Sequence, residues 1–84
     1  MAALIKADGQ GHDILPLDGK VFSLKELQGF VGGYIELVSL RNGMLMVVDE
    51  EGLLKQKPYN KGASILAGRN IVGDAAVIEN CQME

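Results

Sequence analysis

The sequence predicts a small α+β domain: an antiparallel sheet of about four to five strands, one main helix over Ser23–Val31 and one short helix over Lys61–Ala67. Three observations predict it. Short apolar runs are separated by Asp-Gly and Asn-Gly dipeptides, the turn chemistry of hairpins. One segment carries a complete helix-start signal followed by an apolar stripe. The chain has 84 residues, 48% hydrophobic and 23% charged, which suits one globular domain and leaves too little material for two cores. Residues 1–84 are therefore read as a single domain.

Ala2 to Ala7 is apolar apart from one lysine and ends at Asp8-Gly9. A second segment, Asp13 to Leu17, contains Pro16, which confines it to an edge or a strand end. The turn-rich stretch between them makes a first hairpin. Ser23 is a helix N-cap, with Glu26 three residues on completing a capping box. Leu24, Leu27, Phe30 and Val31 recur at spacings of three and four and form one apolar stripe. Gly32-Gly33 ends the helix, and Gly29 inside it suggests close approach to the sheet.

Tyr34 to Leu40 and Met44 to Val48 read as strands joined at Asn42-Gly43. A two-residue turn sets Leu40 opposite Leu45, Val38 opposite Val47 and Glu36 opposite Asp49. The other face then carries Ile35, Leu37, Met46 and Val48, so both faces are apolar near the turn. One strong helix covers one face, and a second copy of the chain is the economical cover for the other, giving a homo-oligomer, most simply a dimer. Two facing carboxylates, Glu36 and Asp49, repel unless a cation lies between them or the register differs. A different register, or separation of the two by solvent at the sheet end, is the simpler explanation.

Asp49 to Gly52 is an acidic turn and Leu53 to Tyr59 is irregular, because Pro58 bars a helix at Lys57. Asn60 caps the short helix and Gly68 closes it. The last strand, Ile71 to Glu79, contains Gly73-Asp74, which signals a bulge or a turn that splits it. Residues 80–84 read as a frayed tail.

The string Gly33-Tyr34-Ile35-Glu36 through Leu40, the Asn42-Gly43 turn, Val48-Asp49-Glu50-Glu51-Gly52, Asn60 with Ala63, and Val72-Gly73-Asp74 resembles the domain of unknown function 3846 family. These are small proteins of bacteriophages and bacterial mobile elements. The resemblance implies a setting, a phage-type accessory protein made inside a bacterium, and no chemistry.

The net charge of −3, from eight basic and eleven acidic residues, has the wrong sign for a general binder of nucleic-acid backbones. Lys55, Lys57, Lys61 and Arg69 are the basic residues after Asp49 and read as solvated side chains. One cysteine, Cys81, excludes an internal disulfide, and no leader-like or membrane-length apolar run is present, so a cytoplasmic location is expected, which the resemblance implies is that of a bacterial host cell. His12 is the only histidine, and with Cys81 it offers too few ligands for a structural zinc. Loop carboxylates Asp49, Glu50 and Glu51 lack the spacing of a calcium loop. No metal, cofactor or catalytic residue is expected, and the chain reads as a non-enzyme.

The expected function is a small accessory binding protein that captures a host protein or a small anionic, nucleotide-like ligand without catalysis. An anion would meet the N–H groups at the start of the short helix, with Asn60, Lys61, Ser64 and Arg69 as the candidate ligand-binding residues. The alternatives are a carboxylate- and metal-dependent enzyme acting on such a ligand, or a small nucleic-acid-binding regulator.

Overall fold

The computed structural model describes residues 2–83. Five antiparallel strands form one sheet: β1 (Ala3–Ile5), β2 (Gly11–Asp13), β3 (Ile35–Ser39), β4 (Met44–Asp49) and β5 (Ala75–Glu79), in the spatial order β2-β1-β5-β4-β3. Helix α1 (Leu24–Val31) follows β2, and helix α2 (Lys61–Ala67) follows β4. The α+β class and both helices match the sequence reading.

The β3–β4 hairpin departs from the expected register by one residue. Val38 pairs with Met46, Leu37 with Val47 and Glu36 with Val48. The Leu40 N–H donates to the Met44 carbonyl, so the loop is Arg41-Asn42-Gly43 and not Asn42-Gly43 alone. Asn42 and Gly43 both take left-handed backbone, φ 61° and 73°, which allows the return through three residues. Because side chains alternate, one residue of slip moves every β4 side chain to the other face relative to β3. Ile35 and Leu37 therefore share a face with Leu45 and Val47, while Val38 shares the opposite face with Met46 and Val48. Glu36 and Asp49 are not paired.

The sheet is buried on both sides. On one face α1 brings Leu27 and Val31 against Val47, Ala76 and Ile78, together with Phe22 and Ala2. On the other, Ala63 of α2 and Ile71 pack with Val38, Met46, Val48 and Ala75. The small side chains Ala63 and Ala67 let α2 settle on the strands. The second apolar face is thus covered by the chain's own C-terminal half, and its burial needs no second copy.

Helix α1 starts as expected. Ser23 accepts from the Glu26 N–H, and Glu26 accepts from the Ser23 N–H. Phe22, just ahead of the cap, and Leu27 are both fully buried in one cluster, a hydrophobic staple across the first turn. Leu24 belongs to the spacing but is 47% exposed. Gly29 faces open space, so close packing on the sheet is not its role.

The end of the chain departs from a frayed tail. Asn80–Gln82 form one turn of 3-10 helix, the Phe22 N–H donates to the Gln82 carbonyl, and Met83 packs against the α1 cluster. Glu84 lies outside the described residues. The second strand is Gly11–Asp13 and not Asp13 to Leu17. The last strand begins only at Ala75, after a turn in which Gly73 has φ 76°.

Candidate functional site

The four residues expected to meet an anion do not share a surface. Asn60 is 1% exposed and works as a structural joint. Its Oδ1 accepts from the Ala63 N–H, and its Nδ2 donates to the Ile5 and Gly73 carbonyls at 2.8 and 2.9 Å. It therefore caps α2 and ties that helix to β1 and to the turn before β5. Ser64 is buried as well. Its Oγ donates to the Asn60 carbonyl at 2.6 Å and accepts from the Ile71 N–H at 2.8 Å. Lys61 is exposed at the start of α2, and Arg69 lies beyond its end, 3.6 Å from Glu36. The seven-residue helix α2, about 10 Å long, separates their backbone positions. Asn60 and Ser64 are brought together; Lys61 and Arg69 are not brought to them.

A different polar cluster is built into the molecule. The Asp49 side chain, at the end of β4, has no solvent exposure. Its Oδ2 receives Lys57 Nζ at 2.6 Å and Lys55 Nζ at 2.9 Å, and its Oδ1 accepts from the Glu51 N–H at 2.8 Å. Burial works to raise the Asp49 pKa, but the hydrogen bonds from Lys57, Lys55 and the Glu51 N–H outweigh it and bring the carboxyl down to about 2. The same ammonium groups reach the end of α1. Lys57 donates to the Val31 carbonyl at 2.5 Å and Lys55 to the Gly32 carbonyl at 3.3 Å. They meet the last carbonyls of the helix, where its dipole is negative. A side chain at Gly33 would run into Lys55 Nζ and Asp49, and one at Gly73 into the stem of Lys57, so glycines clear the path of both lysines. Lys55 and Lys57 are therefore paired groups and not the solvated side chains that composition suggested.

Beside this clasp lies a cleft of about 210 Å³ lined by Gln28, Gly33, Tyr34, Glu51 and Lys55. It is smaller than the usual small-molecule site, and its lysine is already paired with Asp49 and the helix end. The cluster is a clasp that holds the Glu50–Lys57 loop to α1. Among the described residues no three His, Cys, Asp or Glu side chains converge as a metal site. His12 is exposed on β2 and Cys81 is exposed near the C-terminus.

A further site candidate is apolar. Leu15 and Leu17 are 83% and 89% exposed, on a segment whose backbone is fixed. The Ile14 N–H donates to the Ala2 carbonyl, Pro16 is buried, and the Leu17 N–H donates to Glu26 Oε2 at 3.0 Å. Glu26 thus serves two elements, and the N–H groups of Ser23 and Leu17 hold its pKa below the ordinary value. Between this segment and α1 runs a groove of about 450 Å³ lined by Ile14, Leu15, Leu17, Gly29 and Phe30, with Lys25 and Glu26 at its rim. The exposure of these leucines escapes sequence reading, because Ile14-Leu15-Pro16-Leu17 looks like any apolar strand.

No helix among the described residues is long and apolar enough to cross a membrane. No curated protein and no solved structure matches the chain. The model of one family matches residues 1–84, the entire chain, in agreement with the resemblance carried by the β3–β4 hairpin, the acidic turn and the Gly73-Asp74 turn; the protein belongs to the family described as Domain of unknown function (DUF3846).

Proposed function

We propose that this protein is a non-catalytic accessory module that binds another protein through the Leu15–Leu17 segment and the groove beside α1. One observation carries the reading: two leucines are held almost fully in water on a backbone that is hydrogen-bonded in place. Leaving such surface in water forgoes about 1.5–3 kcal/mol per side chain, which a partner covering it recovers. A fixed backbone also lowers the ordering cost of binding. The setting we propose is the cytoplasm of a bacterium carrying the phage or mobile element that encodes the protein, with a host protein as partner. This rests on the family resemblance.

The test compares wild type with the double variant Leu15→Lys/Leu17→Lys as bait in a bacterial lysate. A protein retained by wild type and lost by the variant, at unchanged thermal stability, is the expected result. Retention by both would place the contact elsewhere. Native mass spectrometry of the protein from its producing cell covers the anionic-ligand reading. A retained small anion whose binding is abolished by Lys61→Glu would replace the protein partner with a ligand at the start of α2. Turnover of a trial nucleotide by the purified protein would instead favour the enzymatic alternative.

A further inference from the structure

β3 is an edge strand, with β4 on one side and no strand on the other among the described residues. Its ladder to β4 uses alternate residues. Leu40 donates to the Met44 carbonyl and Glu50 to the Tyr34 carbonyl, which places the pairs 40–44, 38–46, 36–48 and 34–50 in the hydrogen-bonded positions. The N–H and C=O groups of Ile35, Leu37 and Ser39 therefore point away from the sheet. Most edges are blunted by lysine, proline or a bulge. β3 has none of these, and its one charged side chain, Glu36, has Arg69 beside it: the strand is five regular residues, Ile-Glu-Leu-Val-Ser, with Leu37 46% exposed.

We propose that this edge pairs with the β3 edge of a second copy of the chain, antiparallel and centred on Leu37, so that two sheets become one continuous sheet. The occupant is a second copy because the strand complements itself in this register. Leu37 meets Leu37, and Ile35 meets Ser39 in both directions, which satisfies the outward donors and acceptors with about six backbone hydrogen bonds. The same register sets Tyr34 of one copy, 68% exposed, opposite Leu40 of the other. Leu40 lies at the mouth of a cleft of about 570 Å³ walled by Ser39, Leu40, Arg41, Ile65 and Leu66, where Ile65 and Leu66 are 71% and 57% exposed. Charge agrees with the antiparallel sense. The Arg41 end of each edge falls against the end of the other that carries Asp49, Glu50 and Glu51 with Lys55 and Lys57, where acidic groups outnumber basic ones, whereas a parallel pairing would stack like ends. Glu36 of each copy would lie diagonally from its counterpart, and Arg69 beside it offsets that repulsion. This contact uses a surface separate from the Leu15–Leu17 groove and stands whether or not that groove binds a protein.

The test is light scattering at about 100 µM on wild type, Leu37→Pro and Leu37→Lys, with circular dichroism as the check on folding. Proline at position 37 removes an N–H that faces outward and leaves the β3–β4 ladder its donors. Wild type is expected at twice the 9.0 kDa chain mass and both variants at the chain mass. As a second measurement independent of these variants, Leu37→Cys in a Cys81→Ser background should form a disulfide-linked dimer under mild oxidation, since paired strands bring equivalent Cα atoms to about 5.5 Å. A monomeric wild type, a dimer that persists in folded Leu37→Lys, or a Leu37→Cys protein that stays uncrosslinked would each overturn the proposal.

Discussion

A carboxylate without solvent exposure needs its charge balanced where it sits, and Asp49 obtains that from Lys55, Lys57 and the Glu51 N–H. Its pKa is about 2 in the folded chain against an ordinary 3.8, so the unfolded state takes up a proton first as pH falls. The stability from this group is present above about pH 4 and is lost as pH falls through 4 towards 2. Screening through the partly exposed Lys55 leaves it worth about 1–2 kcal/mol. Asp18 and Glu26, whose pKa values are also lowered by backbone N–H groups, lose stability in the same direction. Asp49→Asn isolates the clasp: urea midpoints should drop by about 2–4 kcal/mol equivalent at pH 7, with a shallower fall from pH 5 to pH 2.5 than in wild type. Gly33→Ala should cost about 1 kcal/mol or less, because the atom it displaces, Lys55 Nζ, ends a flexible side chain and Gly33 needs no unusual backbone angle. None of this was legible locally. Asp49, Glu50 and Glu51 look alike in sequence, and only the burial of the end of β4 separates the first from the other two.

At the scale of elements, the helix starts were legible because a cap is chemistry over three or four residues. Ser23 with Glu26, and Asn60 with the Ala63 N–H, form as the spacing predicts. What the spacing left open was which other parts each residue joins. Asn60 caps α2 and also holds β1 and the Gly73 turn, so Asn60→Ala should cost about 2–4 kcal/mol in chemical denaturation, above the usual one for a cap alone. Leu27→Ala should cost about 2–5 kcal/mol and Lys25→Ala about 0.5 or less, since Leu27 is fully buried and Lys25 is exposed. Gly29→Ala is expected to stabilise by about 0.5–1 kcal/mol, because a methyl group there meets nothing and removes backbone freedom from the unfolded chain. A lowered melting temperature would overturn this.

For the whole molecule, the strand order puts β5 and β4 at the centre, between α1 and α2, with the three-residue β2 at one edge. Amide exchange followed by mass spectrometry should show 44–49 and 75–79 opening only with global unfolding, and 11–13 exchanging orders of magnitude faster. Slow exchange at 35–39 that accelerates on dilution would add support for pairing through β3. The sequence by itself determined both helices with their caps and the hairpin around Asn42-Gly43, because each rests on residues within a few positions of one another, and it determined the fold class and the family from the order of those local signals along the chain. The tertiary structure alone decided the hairpin register, the cover over the second sheet face, the tie between the C-terminal turn and Phe22, and the Asp49 clasp. These depend on which distant groups win a competition for the same space. One extra loop residue exchanged the faces of β4 relative to β3, and α2 then buried what the sequence alone left open to a second copy.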